Sequence, residues 1–350
     1  MSEIEQLLDK IKSGNANWSD FSYFLNLNKD DIDPLFNIAY EMTKQNFNNT
    51  LKVYDPTNKF PAISITGNKC ALHCEHCNER YLKGMKPILN NLDLELFLMK
   101  HYENGGVGAL ISGGCEPDGS VPLIKFLDTI KKIKSQTNLI INTHTGLLHE
   151  ATAKKLAEAG VDIVSFDINL DEEIIREIYH LDKNLMDYKK AINLLKRYKL
   201  NIVPHICIGL YYGKLHKELE SIKFILDSEI NPSLIVLIAL IPPKKSIKFK
   251  TPKALDIAKV VAIIRFLFPH TEISLGCIRP RGSIKIELEK YAIKAGITRI
   301  EIPSKQTIKW LKKENPQIKL KYFSACCAIP KKFENLAMSK DSDIKRYLNL

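Results

Sequence analysis

No apolar stretch in this 350-residue sequence is longer than the eight residues from Leu234 to Ile241, far short of the ~20 needed to span a bilayer. No charged-then-apolar presequence opens the chain at Met1, so a soluble, cytoplasmic protein is expected, with no membrane partner. Linkers rich in Pro, Gly or Ser are also missing, which favours one catalytic domain over a string of modules. Arginine is scarce, eight of 51 basic residues. With no RGG run, no RNA-binding module and no basic patch interleaved with aromatics, nucleic acid is not the expected partner of the +11 net charge. An acidic partner and a merely Lys-rich surface remain as readings of that charge. Eight cysteines are too sparse for a disulfide scaffold, so in a reducing cytosol each is a buried thiol or a ligand. At 45% hydrophobic and 26% charged residues, the composition is globular and excludes disordered and fibrous classes.

Residues 1–49 carry helical periodicity, with Ile4, Leu7, Leu8 and Ile11 on one face and Leu35, Ile38, Ala39 and Met42 on another. Residues 1–58 therefore read as an N-terminal helical extension. After it, Val- and Ile-rich runs over 62–66, 107–112, 139–143, 163–168, 201–208, 234–241, 272–275 and 297–302 alternate with helical stretches over 92–103, 123–134, 150–159, 172–198, 215–226, 253–268 and 284–295. Strands apolar on both alternations read as parallel strands covered by helices. The spacing predicts an α/β fold of six to eight units over 59–303, between a partial (β/α)6 and a full (β/α)8 barrel. Residues 304–350 read as a C-terminal tail over the barrel mouth, carrying Cys326-Cys327. In such barrels chemistry sits at the carboxyl ends of the strands.

Directly after the first predicted strand stands Cys70-Ala-Leu-His-Cys74-Glu-His-Cys77. Three thiolates on a short loop can hold three irons of a 4Fe-4S cube and leave the fourth open to a ligand. Zinc is the competing metal, since Cys74 and Cys77 form a C-x2-C knuckle that His73 or His76 could join, but no second knuckle follows. The second strand ends in Ser112-Gly113-Gly114-Cys115-Glu116, where glycines allow close backbone approach to a ligand or simply make a strand-to-helix turn. Thr143 and Asp167 end the third and fourth strands as polar residues suited to ribose or substrate hydroxyls, with a helix cap or a solvated acid as the alternative for Asp167. His205-Ile-Cys207-Ile208-Gly209 closes the fifth, and His205 reads equally well as a satisfied barrel-interior histidine. Cys277-Ile-Arg279-Pro-Arg281 follows the seventh, and its two guanidinium forks suit a carboxylate, a cluster or an exposed loop.

The three-cysteine motif in this position resembles that of the radical S-adenosylmethionine (SAM) superfamily, over roughly residues 61–330. The resemblance implies that Cys70, Cys74 and Cys77 ligate a 4Fe-4S cluster whose open iron chelates SAM. One electron from a low-potential donor would then cleave SAM to methionine and a 5′-deoxyadenosyl radical. It implies further that Ser112, Gly113 and Gly114 face the methionine moiety, that Thr143 and Asp167 face the ribose, and that Ile208 and Gly209 meet the adenine through backbone. Arg279 and Arg281 join this cofactor-binding set. Where the family usually has Gly-Gly-Glu, this chain has Cys115 in place of the Glu.

Cys115, Cys277, Cys326 and Cys327 all fall at or beyond strand ends and could ligate an auxiliary 4Fe-4S cluster; buried free thiols are the alternative, and Cys207 is the least assigned. Ile-Thr-Gly-x-x-Cys, Ser-Gly-Gly-Cys, Pro-His-Ile-Cys-Ile-Gly-Leu, Leu-Gly-Cys-Ile-Arg-Pro-Arg-Gly and the Cys-Cys pair together are similar to a narrower group, the biotin synthase-like second subunit of a two-protein lipoyl synthase found mainly in archaea. That similarity implies sulfurtransferase activity. Sulfur would be attached to an octanoyl chain on a lysine of a lipoyl domain or glycine cleavage H protein, with a partner lipoyl synthase subunit. Rival readings are another radical SAM enzyme, such as a methylthiotransferase or peptide maturase, and a non-catalytic iron-sulfur protein.

Overall fold

The computed structural model describes residues 2–56, 58–345 and 347. Its opening helices, Glu3–Lys12, Trp18–Asn26 and Lys29–Asn46, each start at a polar cap: Ser2, Asn17 and Asn28 accept from backbone N–H groups of the first turn. They bury Leu7, Phe24, Leu35 and Phe36 and pack toward the helix Ala254–Leu267, whose Lys259 Nζ donates to the Leu25 carbonyl at 2.8 Å.

The strands are β1 (Thr50–Tyr54), β2 (Ala62–Ser64), β3 (Lys86–Pro87), β4 (Gly108–Ser112), β5 (Ile140–His144), β6 (Ile163–Asp167), β7 (Ile202–Ile208), β8 (Leu234–Ala239), β9 (Glu272–Leu275), β10 (Arg299–Glu301) and β11 (Lys319–Phe323). They form one sheet in the order β11-β1-β10-β9-β8-β7-β6-β5-β4-β2-β3, and every pairing is parallel. The expected α/β fold is therefore present as a curled half-barrel with β3 and β11 at its edges. All strand carboxyl ends lie on one rim.

Side-chain parity decides what each strand offers. Ile141, Val164, Ile206 and Ile208 pack with the helices. Ile140, Ile163, Val203 and Leu234 form a second cluster on the concave face with Phe60, Phe323, Ala325, Ile329 and Ala337. His144, Asp167, His205 and Cys207 share the concave parity.

Three expectations change. Residues 50–54, placed in the helical extension, form β1, because Lys52 interrupts the apolar run yet is buried by ion pairs with Glu334 (2.6 Å) and Glu272. The helix expected over 172–198 is a π-helical turn, Ile174–Ile178, and a separate helix, Leu185–Arg197; His180 takes a left-handed conformation between them, and Asn184 caps the second. The C-terminal segment contributes a helix, Lys305–Glu314, and β11, and then turns into the concave face. There Glu334 meets Lys52, Tyr54 Oη (2.9 Å) and Arg299 (2.8 Å), so the segment is fixed by a buried charge network. Among the described residues no helix is long and apolar enough to cross a membrane.

Candidate metal and cofactor site

The loop after β2 is tied down before any ligand is considered. Ser64 Oγ donates to the Gly67 carbonyl (2.6 Å), Thr66 Oγ1 to the Lys69 carbonyl (2.9 Å), and the Ala71 N–H to the Cys115 carbonyl (2.8 Å). The Glu75 N–H donates to the Ile178 carbonyl at 2.9 Å, and Arg80 reaches the carbonyls of Ile241 and Pro242. His73, Asn78 and Glu79 adopt positive φ, which lets the chain turn tightly around its cysteines.

Cys70, Cys74 and Cys77 line one cavity of about 280 Å³ together with Gly113, Gly114, Cys115 and Asp167. The Cys115 N–H donates to Cys70 Sγ at 3.3 Å, and hydrogen bonding from the Cys115 thiol brings the Cys70 thiol down to about 5. The same interaction, with burial, pushes the Cys115 thiol up. Hydrogen bonding with Cys77 likewise raises Cys74, while Cys77 is lowered by it. The thiols and the His76 ring of Cys74, His76 and Cys77 present donor atoms within 4.8 Å of one another. His76 Nδ1 is buried without a hydrogen-bond partner, and burial holds this ring down at about 4, the neutral form. His73 points away and pairs with Glu79 at 2.8 Å. Soft, partly ionised thiols converging on a cavity fit an iron-sulfur cluster or zinc.

Gly114 is a packing requirement. A Cβ there would meet the Lys69 carbonyl at 2.0 Å and Cys70 Cα at 2.7 Å, so the residue locks the strand β4 turn against the cysteine loop, and its N–H donates to Thr66 Oγ1 at 2.7 Å.

Asp167 opens into the cavity from the end of β6, its side chain 59% exposed, with His144 Nδ1 at 3.7 Å. Its crowded position alone would raise the carboxyl, but the hydrogen bond and charge of His144, aided by His205 and His76, bring it below the usual range. His205 lies edge-on to His144, ring centroids 4.9 Å apart, and burial lowers it to about 4. Phe166, Tyr179 and Tyr188 complete the wall.

Several residues expected to contact the cofactor have polar groups engaged within the chain. Thr143 is fully buried on the helix-facing parity and donates to the Ile163 carbonyl at 3.4 Å. Ser112 Oγ donates to the His144 carbonyl at 3.2 Å. The Ile208 carbonyl accepts from the Leu240 N–H (3.0 Å), and the Gly209 N–H donates to Glu218 Oε1 (2.9 Å), so both backbone groups are engaged within the chain. Arg279 is buried and holds Glu289 Oε1 (2.6 Å) and the carbonyls of Gly276 and Glu301; its fork ties strand ends together. Arg281 is exposed.

The auxiliary cysteines also divide differently. Cys115 belongs with Cys70. Cys326 and Cys327 instead stand with Glu301, the two thiols and the carboxylate within 4.8 Å of one another. The charges acting on Cys277 are those of Glu301, Cys326 and Arg279. Cys207 packs with Leu210, Leu240 and Phe249 past the ends of β7 and β8, where burial raises its thiol. Tyr179, Tyr188 and Glu301 carry no motif in the sequence, and His76 enters there only as a possible zinc ligand. Glu301 carries the signal used for Asp167, an acid ending an apolar strand.

The sequence profile of the Radical SAM superfamily matches residues 64–225, the part of the chain that builds this cavity. Over that segment the chain is similar to the radical SAM superfamily. That superfamily carries a 4Fe-4S cluster and SAM, and the thiols of Cys70, Cys74 and Cys77 fit such a cluster.

The biotin synthase of Buchnera aphidicola is 25% identical over 260 residues, covering 70% of this chain and 72% of that one. The biotin synthase of Coxiella burnetii is 25% identical over 248 residues, covering 68% and 74%. An uncharacterized protein of Methanocaldococcus jannaschii is 25% identical over 179 residues, and the match spans only 50% of this chain and 46% of that one. Among solved structures, methylornithine synthase superposes with a TM-score of 0.64 at 17% identity, covering 98% of this chain and 94% of that one. The FeFe-hydrogenase maturase HydG from Carboxydothermus hydrogenoformans gives 0.68 at 17% identity, covering 95% and 81%. These likenesses show the shared half-barrel fold.

Proposed function

We propose that this chain is a radical SAM enzyme that inserts sulfur into a protein-bound octanoyl chain, as the biotin synthase-like component of a two-protein lipoyl synthase. The observation that carries the reading is the second set of donors on the same rim. Cys326 and Cys327 stand with Glu301 past the ends of β11 and β10, apart from the thiols after β2, and Cys277, just past β9, lies within reach of their charges; together they can hold an auxiliary cluster as sulfur source. The similarity to biotin synthases across about 70% of the chain supports the same reaction class.

With SAM bound, the reduced first cluster would supply a 5′-deoxyadenosyl radical. The chain's own residues have defined tasks around it. Cys70, Cys74 and Cys77 would hold three irons of that cluster; the Cys115 N–H donates to the Cys70 sulfur and so withdraws charge from that thiol. Asp167, kept ionised by His144, offers an acceptor for hydroxyls. Phe166, Tyr179 and Tyr188 keep water from the cavity.

The rim also offers a landing place for an acidic carrier domain such as a lipoyl domain or H protein. Lys244, Lys245 and Lys248 are exposed around Ile247, itself 86% exposed, on the loop that adjoins His73 and Glu75 of the cysteine loop. Such a basic rim would steer an acidic partner. A cytoplasmic setting, a low-potential donor and a partner lipoyl synthase subunit complete the proposal. Anaerobically purified protein tests it at the level of metal: about eight irons per chain support two cubes, and about four remove the sulfur source.

A further inference from the structure

We propose that Glu301 is the non-cysteine ligand of the auxiliary centre, its carboxylate completing a four-donor iron-sulfur site with the thiolates of Cys277, Cys326 and Cys327. The inference rests on the sulfur-insertion reading and sharpens its metal site.

With Cys115 placed at Cys70, the cysteines available to a second cluster fall to three, whereas such clusters are held by about four ligands. The sheet supplies the fourth. β9, β10, β1 and β11 are successive neighbours, all parallel, so the residues just past β9 and β11 and the last residue of β10 meet on one rim. Glu301 ends β10 and is 4% exposed. Its carboxylate and the thiols of Cys326 and Cys327 lie within 4.8 Å of one another, and its Oε2 accepts from the Cys327 N–H at 3.3 Å, which orients it.

A carboxylate withdrawn from water is stabilised by a cation, a metal or a proton. The nearby guanidinium of Arg279 is engaged with the Glu289 carboxylate and with backbone carbonyls, including that of Glu301 itself. Arg279 also keeps a buried Nε with no partner, and its positive charge acts on both Cys277 and Glu301. A fixed cation with a spare N–H beside these four donors suits the outer sphere of an anionic cluster. A carboxylate is a harder ligand than thiolate, so the iron it holds should differ from its neighbours.

The test uses the full chain with Cys70, Cys74 and Cys77 replaced by Ala, reconstituted anaerobically with iron and sulfide, so that only the second centre is read. The expected result is an iron-sulfur cluster with one iron distinct by Mössbauer spectroscopy. Adding Glu301→Gln should remove at least half of the iron; adding Glu301→Cys should keep it and abolish the distinct iron, with circular dichroism confirming that both variants fold. If both variants keep the parent's iron, sulfide and spectrum, Glu301 is not a ligand although a second cluster exists. If the parent binds no iron while the wild-type chain holds about four, the sulfur-insertion reading falls together with this inference.

Discussion

The backbone N–H of Cys115 donates to the sulfur of Cys70 at 3.3 Å, joining the turn after β4 to the cysteine loop after β2. Together with the Cys115 thiol it favours the Cys70 thiolate, held at about 5. In metal-free protein, Cys70 is therefore the thiol that iodoacetamide labels at pH 6, with a labelling midpoint near 5. Cys115→Ala should move that midpoint upward; peptide mass mapping of labelling against pH checks it.

The same junction explains a backbone prediction. Because a Cβ on Gly114 would collide with the Lys69 carbonyl at 2.0 Å, Gly114→Ala must displace the cysteine loop. The cost should be about 1–3 kcal/mol, as for other overpacked sites. Most iron of the first cluster should be lost, while Gly113→Ala, whose nearest neighbour is a side chain, Thr66 at 3.0 Å, rather than backbone, should retain more. Iron per chain measures both.

How much of this was legible in the sequence follows from what is local. The cysteine triplet was readable because its ligands are neighbours along the chain. Cys115 was misassigned because its partners depend on strand order: β4 lies beside β2, whereas β9, β10 and β11 lie in the far half of the sheet, and sequence shows only that all end on one rim. Thr143 failed on parity, since Asn142 and His144 take the concave side and Thr143 the helix side. β1 was hidden by Lys52, a charge whose partners Glu272 and Glu334 are far away in sequence.

Burial sets a pH dependence. His205 is lowered from its ordinary value to about 4, chiefly by desolvation. The unfolded chain binds its proton first on acidification, so the stability it contributes is complete above about 6.5 and is lost as pH falls toward 4. His76, at about 4, and the lowered Asp167 carboxyl act in the same direction. The urea midpoint of metal-free protein should fall over this window, and His205→Gln should flatten the slope.

The lysine loop gives a kinetic prediction. Replacing Lys244, Lys245 and Lys248 by Glu should raise KM for an octanoylated carrier domain about tenfold or more at low salt, with little change at high salt. KM for a short octanoyl-lysyl peptide should stay within about twofold, because the peptide lacks the acidic surface that the loop steers.

The most direct measurement is mass spectrometry of an octanoyl-lysyl peptide incubated anaerobically with reductant, SAM and the protein, with and without a candidate partner subunit. The account predicts 5′-deoxyadenosine and sulfur-bearing peptide from the wild-type chain, and 5′-deoxyadenosine without sulfur transfer from Cys277→Ala. Sulfur-bearing peptide from Cys277→Ala at the wild-type rate, or wild-type protein that cleaves SAM but adds no sulfur under either condition, would contradict it.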